Sequence, residues 1–110
     1  MKKDPLIYLA HILESIEAIQ GFMAGVDREA FERSEEKQSS VLWKLATIGE
    51  ATAKLPFEFR AQHPEVPWAE IVATRNVLIH EYFGVDLGAV WKIVRDDLPV
   101  LAERLRKLLP

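Results

Sequence analysis

Apolar side chains recur three or four positions apart along almost the whole of this chain. That spacing, more than any motif, limits what it can fold into. Leu9, Ile12, Leu13, Ile16, Ile19 and Met23 keep it, as do Leu87, Val90, Trp91, Val94, Leu98, Leu101, Leu105 and Leu108. Between them Val41, Leu45, Ile48 and Thr52 line one helical face, and Leu42, Ala46, Gly49 and Ala53 line the next. A repeat near 3.6 residues is the mark of an amphipathic helix, and period-two alternation is weak throughout. The expected fold is all-α: an up-and-down bundle of four main helices plus short ones, forming one domain over residues 1–110.

The punctuation agrees with the periodicity. Asp4 before Pro5 suits a cap followed by a first-turn proline. Gly21 and Gly25 loosen the end of that helix, and Asp27 can cap a short helix containing Phe31. A longer helix is expected from about Glu35 to Lys54, stopped by Leu55-Pro56. A mid-helix glycine costs ~1 kcal/mol against alanine. Gly49, between Ala46 and Ala53, therefore marks a place where another helix packs closely. Pro67 and Trp68 open the next helix, which Phe83-Gly84-Val85 ends, with Gly84 suited to a left-handed cap. Asp86 caps the last helix, whose apolar phase persists across Pro99 and so predicts one kinked helix rather than two. Trp43, Trp68 and Trp91 read as core aromatics.

Composition narrows the function classes. Cysteine is absent, which removes disulfide and thiolate chemistry and fits a reducing compartment. Asp4, Pro5, His11, Glu14 and Glu17 interrupt any signal-peptide core, and no run approaches the ~18 apolar residues of a membrane span. A cytoplasmic protein without membrane contact is expected. The net charge of −3 argues against sequence-independent clamping of duplex DNA, but leaves room for a site that takes one or two phosphates.

The stretch ATRNVLIHEYFGVD, Ala73 to Asp86, crowds Arg75, Asn76, His80, Glu81 and Tyr82 together. At ~100° per residue, Arg75 lies in the middle of the arc formed by Trp68, Ile71, Val72, Leu78, Ile79 and Tyr82. Asn76 and His80 share a neighbouring face with Ala69 and Ala73. Burying an unpaired guanidinium is costly, so Arg75 needs an anion or several acceptors, for which Glu50 is one candidate inside the bundle. An imidazole titrates near pH ~6.5 and is the usual proton carrier near neutrality. An arginine can hold a phosphate and stabilise developing negative charge, and an amide can orient either partner. Together these groups suit cleavage of an RNA phosphodiester: activation of the 2′-hydroxyl, stabilisation of the crowded phosphate and protonation of the leaving oxygen. His80-Glu81 begins like a zinc-protease helix, but Gly84 stands where the second histidine would be needed. There is no glycine-rich phosphate loop and no nucleophile elbow.

Arg75-Asn76, three apolar residues, His80, one residue and Tyr82 together resemble the signature of HEPN-superfamily ribonucleases. The likeness is to HepT-type toxins. IGEA at Ile48 to Ala51 and FGVDLGAVWKIVRDDLP at Phe83 to Pro99 extend it over nearly the whole chain. The resemblance implies a metal-independent RNase without a cofactor, built as an all-α bundle. It implies a homodimer in which two copies of the motif face one cleft. It also implies a partner, a nucleotidyltransferase antitoxin of the MNT type, as in type VII-like toxin–antitoxin pairs. By resemblance Arg75 and His80 match the catalytic pair, Asn76 the polar position beside the arginine, and Tyr82 the tyrosine that the antitoxin adenylylates. On an ideal helix Arg75 and His80 stand ~140° apart. Either the helix loosens near His80, the long arginine reaches around, or a second subunit completes the geometry, and the dimer eases this most directly. The alternative function is a non-catalytic helical module whose motif binds nucleotide or docks the transferase.

Overall fold

The computed structural model describes residues 4–81 and 84–110. The described residues form helices α1 (Pro5–Met23), α2 (Arg28–Arg33), α3 (Glu35–Ala53), α4 (Phe57–Gln62), α5 (Trp68–His80), α6 (Leu87–Lys92) and α7 (Leu98–Leu108), with a π turn at Ile93–Asp97. Helix α3 is central, with α1 and α5 packed against it, while α7 lies on α1 and α2 touches α3 and α6. The all-α bundle of four main helices plus short ones is therefore present, the fourth being the run from α6 through the π turn into α7.

Local chemistry sets the helix starts. The Asp4 carboxylate accepts from the Leu6 N–H at 2.9 Å and that of Asp27 from Ala30 at 2.8 Å. The Ser34 hydroxyl accepts from Lys37 at 3.1 Å, and Asp86 takes both Gly88 and Ala89. Each such cap satisfies an orphan helix donor and is worth ~1 kcal/mol. Gly25 follows α1 with φ of 73°, a left-handed turn that glycine adopts without cost. Pro99 has no N–H to give and its ring would press on the carbonyl four residues back. The chain accommodates this with the π turn, in which the Leu98 N–H bonds to the Ile93 carbonyl.

The core is the union of the predicted stripes. Leu9, Ile12, Ile16 and Ile19 of α1 are fully or almost fully buried, as are Val41 and Ile48 of α3 and Leu98 and Leu105 beyond the π turn. Phe31 of α2 plugs one end and sits 6.0 Å from the Trp91 ring. Among the described residues two polar side chains are buried and satisfied: Thr52 bonds to the Ile48 carbonyl, and Ser15 meets Thr47 across the α1–α3 seam.

Three expectations need correction. Trp43 is not in the core: it is 69% exposed. It lies two residues from both Val41 and Leu45, hence ~200° around α3 from each, on the far side of the helix from the core. Ile79 is 52% exposed, while Trp68 and Leu78 are the buried residues of α5. Helix α5 also ends earlier than expected, at His80, with Glu81 as a cap of φ −123° whose N–H reaches the Val77 carbonyl. A left-handed residue at Gly84 is not what terminates it.

Candidate active site

Arg75 is fixed by the meeting of α3 and α5. A Cβ built on Gly49 would lie 2.7 Å from the Arg75 Cγ and closer still to its Cβ. The missing side chain of Gly49 is thus the slot through which Arg75 leaves its helix, which is the close helix approach expected there. Past the slot the guanidinium divides its donors. Nη2 donates to the Glu50 carboxylate on α3 at 2.5 Å, and Nη1 donates to the Asn76 side-chain carbonyl at 2.8 Å.

Arg75 is 27% exposed and Glu50 49%, so the pair sits at the edge of the bundle rather than inside it. The Arg75 Nε is buried without a hydrogen-bond partner among the described residues. A guanidinium carries five N–H donors, and the bonds to Glu50 and Asn76 engage two of them. The remaining terminal donors leave capacity for an oxyanion ligand, while the carboxylate fixes the plane of the fork.

His80 is the last residue of α5 and is exposed, with no hydrogen bond or ion pair among the described residues. Five residues of α-helix carry it ~7.5 Å along the axis and ~140° around from Arg75. The backbone between them stays α-helical, so the helix does not loosen to bring them together. Within one chain the Arg75 guanidinium bonds to Asn76, which lies one turn before His80 on the same face of α5, so the long arginine reaches around toward the face of His80. Tyr82 lies outside the described residues. Among those described, no group of three or more His, Asp or Glu side chains gathers as a metal site, and no helix is long and apolar enough to cross a membrane.

Two residues of the site carry more than the sequence motif assigns. Glu50 is the direct partner of Arg75, and Gly49 makes room for it. The signal was present: a glycine inside a helix, followed at once by a carboxylate, on the helix predicted to meet another closely. Elsewhere, His63 is structural. Its carbonyl accepts from the Trp68 indole at 2.9 Å, and its ring packs 4.8 Å from Phe59.

Apolar residues flank the polar groups of the site at the surface. Arg75 links Glu50 to Asn76, so the outer edges of α3 and α5 lie on one side. Along α3 that edge carries Trp43, Ala46, Glu50 and Ala53; along α5 it carries Ala73, Asn76, Ile79 and His80.

Comparison with known proteins agrees with this architecture. The family model described as "Ribonuclease HepT-like" matches residues 12–108. The chain is 41% identical over 108 residues to "Probable ribonuclease HepT" of Thermococcus cleftensis, covering 98% of each. It is 43% identical over 109 residues to "Gamma-glutamylcyclotransferase and putative RNase MJ0434" of Methanocaldococcus jannaschii, covering 99% of this chain but 49% of that protein. No solved structure matches. With a family match across most of its helices and a relative of the same length aligned from end to end, this chain belongs to the HepT-like ribonuclease family.

Proposed function

We propose that this protein is an endoribonuclease toxin that cuts RNA without a metal ion, by attack of the ribose 2′-hydroxyl on the adjacent phosphorus. The observation that carries the reading is Arg75: held through the Gly49 slot by Glu50 and Asn76, with donors unspent among the described residues, on the same helix as an exposed His80. His80 takes the 2′-hydroxyl proton as the oxygen attacks. Arg75 stabilises the charge that accumulates on the phosphoryl oxygens. The 5′-oxygen leaves with a proton from an imidazolium, giving a 2′,3′-cyclic phosphate and a free 5′-hydroxyl.

The active species is a homodimer. One chain supplies a single Arg75 and a single His80, and a two-fold copy brings two arginines and two histidines around one phosphate. The exposed Trp43 and Ile79 beside the site support this, since a second copy would cover them. A nucleotidyltransferase antitoxin of the MNT type neutralises the toxin by adenylylating Tyr82, two residues after His80. The added phosphodiester competes for Arg75 and repels RNA.

The test is cleavage of single-stranded RNA by the purified protein in EDTA. Activity should persist, leave a cyclic phosphate, stop when the ribose at the cut is replaced by deoxyribose, and vanish in His80→Ala. A requirement for Mg²⁺, or full activity in His80→Ala, would refute the mechanism. RNA that binds but is never cut would favour the non-catalytic module. For the antitoxin, co-expression with a neighbouring nucleotidyltransferase and mass spectrometry should locate AMP on Tyr82; equal modification of Tyr82→Phe would remove that step.

A further inference from the structure

A second cationic feature lies outside the Arg75 site. Arg28, Asp86, Gly88, Ala89, Trp91, Lys92, Arg95 and Asp96 line a shallow recess of ≈ 570 Å³ between α2 and the start of the last helical run. Its centre is aromatic: the Arg95 guanidinium lies 5.6 Å over the Trp91 ring, whose other neighbour is buried Phe31. Arg28 reaches in across Gly88, where a Cβ would come within 2.7 Å of its Nη2, and is held at its Nε by Glu32. Neither Lys92 nor Arg95 forms an ion pair among the described residues. Of the two lining carboxylates, Asp86 is already engaged by the Gly88 and Ala89 N–H groups. The lining thus carries three cations, Arg28, Lys92 and Arg95, against two carboxylates, Asp86 and Asp96, and Arg95, one of the two cations without an ion pair, is the one stacked on Trp91.

That combination is how single-stranded nucleic acid is held: cations for the backbone, with aromatic and guanidinium planes for the bases. The recess is also within reach of the chemistry. Five residues lie between His80 and Asp86, so the six steps of chain from one to the other span at most ~22 Å. We infer that the face built from Lys92, Arg95 and Trp91, with Arg28 at its edge, binds the phosphate backbone of the RNA strand flanking the scissile bond. The inference rests on the ribonuclease reading and extends it. The Arg75 site acts on one phosphate, and this face holds the strand beyond it, so an acidic protein retains its substrate without a basic groove at the cut.

The experiment uses the full chain carrying His80→Ala, so that RNA is not consumed, and two fluorescein-labelled single-stranded RNAs: a mixed-sequence 12-mer and a trinucleotide. Anisotropy titrations across KCl compare this protein with the same protein carrying Lys92→Gln and Arg95→Gln. These side chains are exposed, and circular dichroism checks the fold. For the 12-mer, affinity should fall at least tenfold, and the slope of log K against log salt should become shallower by ~1.4, or ~0.7 for each lost phosphate contact. Trinucleotide binding should change less than twofold, because it is too short to occupy both sites. Equal 12-mer affinity and slope in the two proteins would overturn the inference while leaving the ribonuclease reading intact. If neither RNA binds the parent protein, both fall. Competition by AMP as strong as by the 12-mer would make this a mononucleotide site and likewise overturn the strand assignment.

Discussion

Replacing Gly49 by alanine tests the joint on which the site depends. In most helices Gly→Ala is stabilising by up to ~1 kcal/mol, because alanine loses less backbone entropy on folding. At Gly49 the new methyl meets the Arg75 Cγ at 2.7 Å, where ordinary contact begins at 3.4 Å. Cγ alone would have to retreat by at least 3.4 − 2.7 = 0.7 Å, and Cβ further. The Arg75 Cβ is rigidly joined to the α5 backbone, so a rotamer change cannot relieve the clash and the helix itself must shift. Overpacking of this kind costs ~1–3 kcal/mol. Set against the propensity gain, the variant should be less stable by ~0–2 kcal/mol, or roughly 4 °C in Tm for each kcal/mol. Gly21 supplies the control: it lies in α1 with nothing within 4 Å of an added Cβ, so Gly21→Ala should stabilise by ~0.5 kcal/mol. The same substitution thus changes sign between two helices. Activity should be hit harder than stability. A catalytic group displaced by ~1 Å can lose ~100-fold in rate, and this displacement also pulls Arg75 away from Glu50. Urea titration and single-turnover RNA cleavage measure the two effects. If Gly49→Ala is stabilised like Gly21→Ala and cleaves at the parent rate, Arg75 does not need the slot.

Glu50→Gln should cut cleavage at least tenfold while changing stability by less than ~1 kcal/mol, since half-exposed ion pairs contribute little; a comparable loss of both would make Glu50 a structural residue only. His80→Ala should leave the unfolding free energy from urea titration within ~0.5 kcal/mol of the parent, as expected for an exposed side chain, so that its loss of activity reports chemistry. Trp43→Glu and Ile79→Glu should each shift a dimer toward monomer in analytical ultracentrifugation and lower cleavage in parallel. A fully active monomer would separate catalysis from assembly.

The sequence by itself determined what depends on neighbours in the chain. Helix periodicity, the caps at Asp4, Asp27 and Asp86, the early glycine–proline punctuation and the placement of Arg75, Asn76 and His80 on one helix all follow from bonds and side-chain spacings within a few residues. Even the continuity of the last helix past Pro99 was legible, because the apolar phase holds on both sides of it; the π turn that makes it possible was not. Tertiary structure decided which faces are covered. Trp43 and Ile79 are as apolar as core residues, but which helix faces are covered is set by how the helices pack, and both lie outside the covered faces. It also decided the fate of Arg75. The sequence required some anion for it, and the packing of α3 on α5 selected Glu50, twenty-five residues away, through the gap left by Gly49. Such a pairing depends on the relative rotation of two helices, which the closest-packed side chains set and no local pattern encodes.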